Sequence, residues 1–111
     1  MRKISPRVLE ILLAEPQVCA RRKEGGCAGR LTLEHVLTYG SKQIDEPWAI
    51  IWLCENHHSV GKYQNSGLLN KEINTYHALN KATDEDLIKY SKAIPYLDLK
   101  KRLTLKYQEL Y

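Results

Sequence analysis

The sequence predicts a small α+β domain in which a two-stranded hairpin, stapled by a metal, is flanked by an N-terminal helix and by C-terminal helices. Three observations carry this expectation. Apolar residues recur at helical spacing near both ends of the chain, a period-two stretch followed by a short β-branched run occupies the middle, and three cysteines and a histidine bracket those two strands. A chain of 111 residues fits one domain over 1–111, large enough for a modest core yet near the size where extra staples help.

Ser5 before Pro6 reads as an N-cap and a first-turn proline; Val8, Leu9, Leu12 and Leu13 then share a face until Pro16 ends the pattern, so a helix is expected over 6–14. Residues 19–27, CARRKEGGC, place two cysteines around a tight, basic, glycine-containing loop. Within 29–40, Leu31, Leu33 and His35 alternate with Thr32, Glu34 and Val36, which predicts a strand. Glu34 and His35 then point to opposite faces unless the strand bends or bulges there.

Residues 41–47 form a polar loop ended by proline, and WAIIWLC over 48–54 is a second strand that completes a hairpin. A helix opening after Cys54 would put positions 54, 57 and 58 on one face. The segment 68–111 reads as a helical extension. Leu69, Ile73 and Tyr76 mark one helix, Thr83 with Asp86 is a capping box opening a second, and Pro95 precedes a third with Tyr96, Leu99, Leu103, Tyr107 and Leu110 at helical spacing. No repeat or linker divides the chain.

No apolar run approaches the roughly 18 residues that a membrane span needs, so no membrane association is expected. Polar residues interrupt the opening MRKISPRVLE and no small-residue cleavage site follows, so export is not expected and a cytoplasmic location is. Three cysteines, an odd number without an export signal, favour metal ligation over a disulfide framework. A net charge of +4 suits a polyanionic partner, because basic residues that neutralise phosphates release condensed counterions.

Cys19, Cys27, Cys54 and His57 make a set of three thiolates and one imidazole, a combination used for tetrahedral structural zinc. Cys54 and His57 have knuckle spacing, whereas Cys19 and Cys27 are more widely separated. One pair precedes the hairpin and the other follows it, so a single Zn2+ would tie its two ends together and metal-binding free energy would become folding free energy. The plainer alternative buries the cysteines as small apolar groups and leaves His57 an ordinary histidine. With zinc on Cys54 and His57, His58 is spare.

A strand ending in Glu34 and His35, a loop, a second strand, and a helix carrying His58 directly after the knuckle LCENHH resembles the HNH endonuclease family and its ββα-metal motif, over residues 19–62. The resemblance implies that Glu34 and His58 hold a catalytic divalent metal such as Mg2+, Mn2+ or Ni2+, and that His35 is the general base that activates water against a DNA phosphodiester. His57 stands where the family's second knuckle cysteine usually sits. The motif's middle asparagine, which fixes the loop and orients the base, is replaced by Ala49. Either Gln43, Asp45 or a backbone carbonyl then orients His35, or activity is low or lost and the chain is a zinc-stapled nucleic-acid-binding module.

Arg21, Arg22, Lys23 and Arg30 near the knuckle are the expected phosphate contacts, with Lys62 on the helix after His58. Lys100, Lys101, Arg102 and Lys106 read as a solvated helix face, and His77 as structural or surface. Small stand-alone members of this kind resemble those of phages and prophages, which implies DNA as partner and packaging or recombination proteins beside it. The amphipathic stripe of the last helices suits a homodimer as well as the chain's own core.

Overall fold

The computed structural model describes residues 4–40, 42–57, 67–91 and 94–109, with side chains from residue 71 onward in the third stretch. Helix α1 spans Pro6–Ala14, as the Ser5–Pro6 start and the Pro16 stop require, with Ser5 held in extended backbone before it. Val8 and Leu12 are fully buried. Leu13, expected on the same face, is exposed instead, because only one narrow stripe of this short helix meets the sheet.

Strand β1 (Leu31–His35) pairs antiparallel with the last strand of the chain, Ile50–Cys54, in a register running from Leu31 opposite Cys54 to His35 opposite Ile50. Between them, strands β2 (Thr38–Tyr39) and β3 (Lys42–Gln43) form a second, smaller antiparallel pair, so the last strand is β4. Part of the stretch expected as loop is thus a tight hairpin, and Gly40 opens its turn at φ +65°, a conformation that a side chain disfavours. Trp48 and Ala49, expected in the second strand, instead lie in a 3-10 turn over Pro47–Ala49. Proline fixes φ there and removes the N–H that a ladder would need.

β4 is an unbroken apolar run because both of its faces are covered. Ile50 packs with Val8 and Leu12 of α1, joined by Ile4 and Leu33. Ile51 and Leu53 enter the main core with Ile73, Ala78 and Leu79 of α2 (Gly67–Lys81) and Leu103 and Tyr107 of α4 (Tyr96–Tyr107). Each fully buried leucine or isoleucine among these contributes about 1.5–3 kcal/mol. Trp52 Nε1 donates to the Leu12 carbonyl at 3.3 Å, and its own carbonyl accepts from Ala20 N at 2.8 Å. These bonds fix α1 and the start of the cysteine loop on the hairpin.

The capping box expected at Thr83 is present. Thr83 Oγ1 accepts from Asp86 N at 3.1 Å, and Asp86 Oδ2 accepts from Thr83 N at 3.1 Å, opening α3 (Asp84–Lys89). Thr83→Ala is therefore expected to lower stability by about 1 kcal/mol, whereas Thr83→Gly should cost only a few tenths. Equal thermal shifts for the two would remove the cap from the account. The apolar stripe of α4 packs on the chain's own core through Tyr96, Leu103 and Tyr107. Tyr96 also brackets Thr38, its hydroxyl accepting from Thr38 N at 3.1 Å and donating to the Thr38 carbonyl. Among the described residues no helix is long and apolar enough to cross a membrane. Residues 55–57, where a helix is expected to open after Cys54, form a turn closed by His57 N on the Cys54 carbonyl, and Leu110 and the rest of that expected helix from residue 58 lie outside the described residues.

Candidate metal centre

The four predicted zinc ligands converge. The ligand atoms of Cys19, Cys27, Cys54 and His57 all lie within 4.8 Å of one another. His57 Nδ1 faces the three sulfurs, at 3.4 Å from Cys19, 3.6 Å from Cys27 and 3.2 Å from Cys54. A tetrahedral zinc with Zn–S of about 2.3 Å and Zn–N of about 2.0 Å separates sulfur from nitrogen by about 3.5 Å. The donor set and its spacing therefore fit a zinc-like ion, and this group can hold one.

Local sequence explains the convergence. Cys54 ends β4, and a tight turn closed by His57 N donating to the Cys54 carbonyl at 3.1 Å swings the imidazole back over the thiol. The loop bearing Cys19 and Cys27 is folded by a 3-10 turn over Arg22–Glu24 and held on that turn by Asn56, whose amide nitrogen donates to the Ala28 carbonyl at 3.3 Å and whose Nδ2 donates to the Gly26 carbonyl at 2.7 Å. Gly29 passes so close that a Cβ there would lie 2.7 Å from Glu55, at a backbone φ of +83°. The loop thus needs its glycine.

Electrostatics agree with a cation in the middle. Burial first, and then the facing Cys19 and Cys54, push the Cys27 thiol up to about 12. Burial also opposes ionisation at Cys54, but hydrogen bonds from the Ala28 and His57 backbone and from the other two thiols hold it below the ordinary thiol value. Three facing thiols cannot all ionise without a compensating charge, and a divalent ion reverses that balance. Burial, reinforced by Arg21, holds His57 below the usual imidazole range, which keeps it in the neutral, ligating form.

Among the basic residues expected to meet phosphate, Arg22, Lys23 and Arg30 are exposed. Arg21 is only 5% exposed and its guanidinium grips Glu24 in two bonds of 2.6 and 2.7 Å, so it braces the cysteine loop. Arg22 Nη1 also donates to the Cys19 carbonyl at 3.2 Å.

Glu34 and His35 lie at the end of β1 remote from the cluster, since Leu31 stands opposite Cys54 and His35 opposite Ile50. The ladder is unbroken through His35, so the two side chains leave the strand on opposite faces. Glu34 is half-buried. The His35 side chain is 7% exposed, with Nε2 at 3.6 Å from Asp45 Oδ1. The structure thus brings to His35 one of the three orienting candidates, and Ala49 is wholly buried in the core. His58 and Lys62 lie outside the described residues.

His77 of α2 is partly buried beside Tyr76, with ring centroids 5.2 Å apart. The sequence offered no sign of the Ser5 backbone N–H, which donates to Asp45 Oδ2 at 3.1 Å. No family model, curated protein or solved structure matches this chain.

Proposed function

We propose that this protein is a metal-dependent DNA endonuclease of the HNH kind. His35 takes the proton of a water that attacks the scissile phosphorus, and Glu34 and His58 hold a catalytic divalent metal, separate from the zinc of the Cys19, Cys27, Cys54 and His57 cluster. The observation that carries the reading is the placement of Glu34 and His35 side by side at one end of a hairpin whose other end is framed by a group able to bind zinc.

Bound by Glu34 and His58, an ion such as Mg2+, Mn2+ or Ni2+ supplies charge to the crowded phosphate and the departing oxygen. The exposed Arg22, Lys23 and Arg30 position the backbone of the nucleic acid without reading its sequence. Partners beyond DNA, whether packaging or recombination proteins or a second copy of the chain, rest on the resemblance alone.

A second reading has its own observation. The position of the motif's asparagine is filled by Ala49, which is 0% exposed and carries no group able to orient the histidine. A zinc-stapled nucleic-acid-binding module without catalysis follows if nothing else does that work. Plasmid incubated with the zinc-loaded protein and each of the three divalent ions separates the two. Nicking that falls about a hundredfold or more in His35→Ala supports the enzyme. Salt-sensitive binding with no cleavage in any ion supports the module.

A further inference from the structure

His35 shares a face of β1 with Leu33, which packs against the α1 cluster, so its ring lies on the side of the hairpin that α1 covers. Asp45, between β3 and the Pro47 turn, reaches this ring from the same side. Its carboxylate is fixed independently of the histidine, because Oδ2 accepts from the Ser5 N–H at 3.1 Å. The next residue, Glu46, is tied to Arg7 of α1 at 3.0 Å. The segment carrying Asp45 is therefore clamped twice to the start of α1.

The other oxygen, Asp45 Oδ1, is buried and has no hydrogen-bond partner among the described residues. Leaving a buried polar atom unpaired is costly, and more so for a charged group. His35 Nε2 stands 3.6 Å away, a small ring rotation from hydrogen-bond range. A proton on Nε2 satisfies that oxygen; a lone pair there would repel it.

We propose that Asp45, anchored by the Ser5 amide, is the positioning residue that holds His35 in the tautomer protonated at Nε2 and leaves Nδ1 as the basic nitrogen. The catalytic consequence rests on the nuclease reading of His35, whereas the tautomer does not. The work of an orienting side chain at position 49 is then divided between Asp45, which holds the ring, and the start of α1, which holds Asp45.

The test is ring-nitrogen NMR on zinc-loaded protein labelled with 15N-histidine, recorded where His35 is neutral. Wild type is expected to show a protonated Nε2 and an unprotonated Nδ1. Asp45→Ala should move the ring toward a mixture of both tautomers, and Asp45→Asn, whose single oxygen is claimed by the Ser5 N–H and whose NH2 then faces Nε2, should shift it toward the tautomer protonated at Nδ1. A wild-type ring protonated at Nδ1, or unchanged populations in Asp45→Ala, overturns the proposal.

Should Asp45→Ala not fold, Ser5→Pro takes its place. The Ser5 backbone, at φ −63° and ψ 148°, already suits proline, and its side chain makes no capping bond, so the substitution removes the N–H that Asp45 accepts from. A shifted tautomer supports the anchor, and an unshifted one removes it. In plasmid cleavage, Asp45→Ala is expected to lower kcat about tenfold to a hundredfold at unchanged KM, with Asp45→Asn no more active than Asp45→Ala. A raised KM at unchanged kcat overturns the positioning role. Wild-type protein that cleaves nothing sinks the nuclease reading, and the tautomer measurement still decides this one.

Discussion

Replacing Cys19 by serine is expected to strip the zinc from the protein and to lower its stability by about 4 kcal/mol, the linkage expected when free metal stands a thousandfold above Kd. In a domain of this size that corresponds to a fall in melting temperature of roughly 15 °C. Cys19 is 4% exposed, and its sulfur is one of three around His57 Nδ1. A serine hydroxyl stays protonated at neutral pH and makes a poor zinc ligand, so the remaining three donors hold the ion weakly. The effect on the fold is large because Cys19 precedes β1 while Cys54 ends β4 and His57 follows it, and losing the ion unties the cysteine loop from the hairpin. Cys27→Ser provides a contrast. Cys27 is exposed, so its substitution should release the metal with less loss of packing. Metal analysis together with thermal unfolding, with and without chelator, checks both. One zinc per wild-type chain is expected; wild-type protein that holds no metal and melts unchanged in chelator would remove the structural role of the cluster.

The parts of this fold legible in the sequence are those fixed by local chemistry. Pro6 and Pro16 leave α1 little choice of boundaries, and the reciprocal bonds of Thr83 and Asp86 start α3 where the capping pattern places it. The ligand set was legible for a related reason, since few uses fit three thiols and a histidine placed on either side of a hairpin. Its packing was not. That Arg21 would turn inward to Glu24 while its neighbours Arg22 and Lys23 stay exposed depends on the path of the loop over Glu55 and Asn56, which is tertiary information.

The small β2–β3 hairpin did have a local sign, the glycine at position 40 in TYGSK, and a two-residue turn with glycine first is a hairpin turn. The polarity of the segment masked it, because its strands are two residues each and neither carries an alternating apolar face. Residue 49 illustrates a different limit. The resemblance to the HNH motif drew attention to position 49, but that Asp45 is the group beside His35, and that the Ser5 amide holds it, required the packing of α1 against the loop.

The second large effect concerns acid. Burial holds His77 down to about 4 from its ordinary 6.5, with Glu24 partly opposing and Arg21 and Arg22 assisting. The folded-state value lies below the unfolded one, so the unfolded chain takes up the proton first. Above pH 6.5 neither state binds it and the residue is neutral in the balance. As pH falls from 6.5 toward 4 the unfolded state is progressively favoured, and below about 4 the penalty levels off. A shift of this size is worth up to about 3 kcal/mol. His77→Gln, which keeps a polar side chain but does not titrate, should therefore match wild type at pH 7.5 and exceed it by a margin that grows to pH 4. Release of a metal held by the cysteine cluster would also weaken the fold in acid, because its ligands must be deprotonated, but that loss would be shared by both proteins, so the difference between their denaturant-derived stabilities isolates the histidine. Difference curves that stay flat across this window would mean that the His77 ring keeps its water in the folded state.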